Sequence, residues 1–91
     1  MELPIFLKKA IEIVILNHPE WGTKKGAKGM CVKASDELLF TCDDLHGCPI
    51  NGYVDGDNRP HHWAVIEGIC VDMTARQFNE EEEFPKLWIN N

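Results

Sequence analysis

Cys31, the pair His61-His62 followed by Trp63, and Asp72 are the residues of this chain whose types suit chemistry. In that order they supply a thiol nucleophile, an imidazole base and a carboxylate that orients the base. Order alone is weak evidence in a chain of 91 residues. The local setting adds to it. Cys31 follows a Gly/Lys-rich stretch and opens an expected helix, while the imidazoles and the carboxylate fall on one expected β-hairpin.

The hairpin decides which histidine meets Asp72. A three-residue loop, Ile66-Glu67-Gly68, with Gly68 left-handed in a bulge, sets Val65 opposite Ile69 and His62 opposite Asp72. Trp63, Val65, Ile69, Val71 and Met73 then share one face, and His62, Ala64, Cys70, Asp72 and Thr74 the other. The small, polar face would admit a helix at close range and hold His62 and Asp72 beside Cys31. A two-residue Glu67-Gly68 turn flips one strand relative to the other, bringing His61 diagonally near Asp72 and Trp63 opposite it. The three-residue loop, and with it His62, is favoured; His61 stays open. An imidazole beside the thiol, together with a helix N-terminus, favours thiolate. First-turn N–H groups would form an oxyanion hole.

The elements that must position these groups follow from pattern. Pro4 to about Asn17 is expected to be a helix, stopped by Asn17-His18-Pro19. Gly22 to Gly29 reads as a loop. A second helix is expected from about Met30 to Cys42, with Cys31, Ala34, Leu38 and Cys42 at helical spacing. Asp43 to Pro49 reads as a turn-rich connector. Strands are expected near Asn51 to Val54, His61 to Ile66 and Ile69 to Thr74, and a mixed tail is anchored by Phe78, Phe84, Leu87 and Trp88.

Length bounds the chain to one domain, residues 1–91, with one small core. Its 44% apolar and 26% charged residues are ordinary for a globular protein, and a net charge of −6 argues against nucleic-acid binding. The lysines gather at Lys24, Lys25, Lys28 and Lys33, the acids at Glu80 to Glu83. The longest apolar run, Ile11 to Leu16, contains Glu12 and is too short to span a bilayer. With no export signal in the opening Met-Glu-Leu-Pro, the expectation is a cytoplasmic protein without membrane contact. Cys31, Cys42, Cys48 and Cys70 are then free thiols.

His61 to Ala75 resembles the His-to-Asp hairpin of transglutaminase-like and other papain-like cysteine proteins, and Gly29-Met30-Cys31-Val32-Lys33-Ala34-Ser35 looks like their nucleophile-bearing helix start. Asp72-Met73-Thr74-Ala75-Arg76-Gln77-Phe78 is similar to a form found in small bacterial and phage-type members. The resemblance covers about residues 29 to 78. It implies an α+β fold in which the helix carrying the nucleophile packs on a small antiparallel sheet, with Cys31 as nucleophile and Asp72 as orienter. A His-x-Trp alignment points to His61 as base, a His-Trp alignment to His62. Met73 stands where the family has proline, and the chain is short for a self-contained protease.

The expected function is thiol-dependent acyl chemistry through Cys31, His62 and Asp72: peptide or isopeptide hydrolysis, glutamine deamidation, or acyl transfer. No cofactor or metal is called for. The partner is a protein or peptide substrate, or a small amide or thioester, with another protein completing the site if subsites are minimal. The competing class is a binding or inhibitor protein that keeps the fold. A third is a zinc module built on Cys42, His46 and Cys48 with Cys31, Cys70 or His61, whose spacing matches no standard finger.

Overall fold

The computed structural model describes residues 1–47, 53–55 and 61–89. Helix α1, Ile5–Asn17, buries Leu7, Ala10, Ile11 and Val14, a stripe at helical spacing. Pro4 sits just before the first turn as the cap residue, and beyond Asn17 the chain closes with a bond from His18 N to Val14 O. Residues expected as loop contain a short helix, α2 (Lys24–Ala27), because Thr23 Oγ accepts from Gly26 N and caps it. Trp21, in the 3-10 turn Pro19–Gly22, is buried in the core and stacks its indole on His18 at 4.0 Å.

Helix α3, Cys31–His46, runs four residues past the expected end at Cys42. Asp43 and Asp44 do not break it; Gly47 does, by taking φ +74 and donating its N–H to Asp43 O. Ala34, Ser35, Leu38 and Cys42 form its buried face, on the expected stripe. Ser35 Oγ bonds back to Cys31 O at 2.7 Å within the helix.

The sheet has four antiparallel strands in sequence order: β1 (Tyr53–Asp55), β2 (His62–Ile66), β3 (Ile69–Asp72) and β4 (Lys86–Ile89). β4 is an addition to the expected mixed tail. It pairs along the whole of β3, and Phe84 and Leu87 pack on the core. Arg76 tethers the approach to β4, donating to Glu82 O and Gly22 O at 2.8 and 2.9 Å. β3 ends at Asp72, two residues short of the expected Thr74, and a 3-10 segment, Ala75–Gln77, follows.

The hairpin register differs from the favoured one. Ala64 pairs with Val71, Val65 with Cys70 and Ile66 with Ile69, leaving a two-residue Glu67-Gly68 turn. Both turn residues have positive φ, +50 and +79, the mark of a type I′ turn whose twist matches the strands it joins. Ala64, Ile66, Ile69, Val71 and Met73 therefore share the face packed on α1 and α3. Trp63 lies on the outer face, edge-on to Trp88 at 5.4 Å between ring centroids. Glu67 is a non-glycine residue in a left-handed conformation, which costs about 1–2 kcal/mol. Its ion pair with His46, at 3.7 Å and exposed, returns little. Glu67→Asn should accordingly raise stability by about 0.5–1 kcal/mol, read as a higher urea midpoint at unchanged m-value.

Candidate functional site

Cys31 is the first residue of α3, and Ala34 N is the first to bond back along that helix, to Met30 O at 2.8 Å. The N–H groups of Cys31, Val32 and Lys33 thus have no helical carbonyl, as first-turn amides do not. The thiol is half-buried, with Sγ 3.8 Å from His62 Nδ1. That contact follows from the register: His62 is on the same side of β2 as Ala64 and Ile66, the side on which α3 packs.

Asp72 is not on that side. The expected pairing of His62 with Asp72 is replaced by one between His61 and Asp72, because the two-residue turn shifts β3 by one residue against β2. His61 Nε2 lies 2.6 Å from Asp72 Oδ2, both side chains buried. The other carboxylate oxygen accepts from Thr74 N at 3.0 Å and Thr74 Oγ at 3.4 Å. The three expected site residues are therefore divided: Cys31 meets His62, and Asp72 holds the neighbouring His61.

Gln77 completes the network and was not singled out from sequence. Gly29 N donates to its Oε1 at 3.4 Å, which turns its amide nitrogen toward His61 Nδ1 at 2.9 Å and Thr74 Oγ at 3.4 Å. Nδ1 must then accept, so the ring proton of neutral His61 is on Nε2, facing Asp72. Phe78 packs edge-on to the same ring at 4.9 Å between centroids. Gln77 was legible only as part of the Asp72-to-Phe78 stretch, and Phe78 also as an expected anchor of the tail. Through Gln77 the His61–Asp72 pair is joined to the backbone two residues before Cys31.

The other described thiols, Cys42 on α3 and Cys70 on β3, are buried. Cys42 is fully buried in the core, and burial pushes its thiol up to about 12. Burial also raises Cys70. Both are held as neutral thiols at physiological pH. His46, a candidate zinc ligand, stacks on Phe6 at 4.1 Å; Cys48 lies outside the described residues. Among the described residues no three His, Cys, Asp or Glu side chains converge on a metal-sized point, and no helix is long and apolar enough to cross a membrane. Comparison of the chain with protein-family models, with curated proteins and with solved structures finds no match.

Proposed function

We propose that the protein performs thiol-dependent acyl chemistry with Cys31 as nucleophile: hydrolysis of a peptide or isopeptide, deamidation of glutamine, or acyl transfer. The observation that carries this reading is the half-buried Cys31 thiol at a helix start, 3.8 Å from the His62 imidazole. His62 takes the thiol proton through Nδ1, and the sulfur attacks the acyl carbon. The oxygen that becomes anionic is received by the first-turn N–H groups of α3. The likeness of residues 29 to 78 to transglutaminase-like and papain-like proteins supports the same chemistry.

A second assignment of the base is favoured by one observation, the 2.6 Å bond between His61 and Asp72. A carboxylate on Nε2 fixes the tautomer and stabilises the imidazolium, as an orienting group does. In that assignment His61 Nδ1 accepts the proton once the Gln77 amide withdraws from it.

Iodoacetamide labelling resolved by peptide mapping separates these readings. In the wild type, Cys31 should react at least about tenfold faster than an ordinary exposed thiol near neutral pH, with Cys42 and Cys70 unmodified while the fold persists. Loss of that advantage in His62→Ala alone assigns His62 as base; loss in His61→Ala alone assigns His61. Ordinary, equal reactivity in all three proteins would rule out the catalytic reading and leave the binding-protein class.

A further inference from the structure

The lysines that precede Cys31 are not spread over the surface at random. Lys24, Lys25 and Lys28 line one wall of a cleft of about 530 Å3 whose other walls are Gln77, Phe78 and Glu80. Sites for small ligands and peptide side chains occupy about 300–1,000 Å3, so the space is sufficient for a short stretch of side chains. Two of the lining residues are those that touch His61: Gln77 through its amide and Phe78 through its ring. The cleft thus borders the residues that hold His61, and Gln77 ties it to Gly29, two residues before Cys31.

Its charge runs against that of the chain. The protein carries −6 overall, yet three ammonium groups face one carboxylate here. A segment rich in carboxylates is repelled by the rest of the surface and attracted to this cleft, an arrangement that orients an approaching chain as well as holding it. Phe78 adds an apolar surface for the methylene stems of such a ligand. From this we infer that the cleft is a substrate subsite for an acidic peptide segment, one whose Asp or Glu side chains flank the acyl group delivered to Cys31. The inference rests on the thiol reading for its role, though not for its binding.

Binding is therefore measured on Cys31→Ala protein, by fluorescence anisotropy of a labelled peptide with glutamates on both sides of one glutamine. A peptide of the same length with serine for each glutamate is the comparison. The acidic peptide should bind at least tenfold more tightly, and the advantage should shrink as salt is raised. Combining Lys24→Gln, Lys25→Gln and Lys28→Gln should remove it, with the far-ultraviolet circular dichroism unchanged because all three side chains are exposed. Lys8→Gln with Lys9→Gln, equally exposed on α1, should leave it intact. Equal binding of the two peptides would overturn the inference, as would an equal loss from the Lys8 and Lys9 pair. Displacement by inorganic phosphate below millimolar concentration would make the cleft a phosphate site and overturn it too. Cys31 labelling in the wild type reports the thiol reading separately, so either can fail alone.

Discussion

Asp72→Ala is expected to lower the free energy of unfolding by about 2–5 kcal/mol, since removing the carboxylate leaves the buried His61 Nε2–H without its acceptor, at about 1–3 kcal/mol for each such group. His61 is 6% exposed and Asp72 4%, so water cannot replace the missing acceptor. The loss is compounded at Thr74, whose buried N–H also depends on this carboxylate. In a domain of this size total stability is about 5–14 kcal/mol, so the change removes a large share of it. Asp72→Asn separates shape from charge. An asparagine can accept from Thr74 N, but its amide would donate to His61 Nε2 and so force the ring proton onto Nδ1. We expect Asp72→Asn to retain most of the stability while setting the tautomer that cannot accept at Nδ1. Urea unfolding followed by tryptophan fluorescence measures the first effect; nitrogen shifts of the His61 ring measure the second. A loss below 1 kcal/mol in Asp72→Ala would mean that the pair does not hold the hairpin's approach in place.

The second large effect is in the core. Leu38 is fully buried on α3, within the cluster formed by α1, α3 and the inner face of the sheet. Leu38→Ala removes apolar contact and leaves a cavity that the rigid sheet cannot collapse into, a cost of about 3–5 kcal/mol. Phe40, two residues on, is 71% exposed, and Phe40→Ala should shift stability by no more than about 0.5 kcal/mol. Because α3 carries both Cys31 and Cys42, a loosened Leu38→Ala protein should lose the reactivity difference between those two thiols. Thermal unfolding of the two variants side by side gives the comparison.

How much of this was legible depended on whether local or distant forces fixed each element. The existence of α1, the apolar stripe of α3, the start of α3 at Cys31 and the antiparallel hairpin were all written in local signals, because caps, stops and periodicities act over a few residues. The hairpin register was not. A three-residue loop spares Glu67 a left-handed conformation worth about 1–2 kcal/mol, so the sequence favours it. The two-residue turn instead pairs Ile66 with Ile69 and buries both against the helices. Burying a side chain of that size contributes about 1.5–3 kcal/mol, so the core wins over the turn. That decision belongs to tertiary packing and cannot be read from the hairpin alone. It also decided the site, by sending His62 to Cys31 and His61 to Asp72. β4 was hidden for a similar reason: Lys86–Ile89 is short and becomes a strand by pairing with β3.

The contact between Cys31 and His62 joins residues 31 positions apart, whereas every pairing within the sheet is between strands that follow one another along the chain. The meander can therefore assemble from near neighbours, but the thiol acquires its imidazole only when α3 docks on β2. Cys42 is sealed by the same docking, whereas Cys70 is buried on the opposite face of the sheet, the side of Trp63 and Asp72. A molecule whose layers have parted thus loses the distinction between Cys31 and Cys42 in a single event. Nucleophilic identity here is a property of the assembled layers, and the chain carries in its own cysteines an internal gauge of whether they are together.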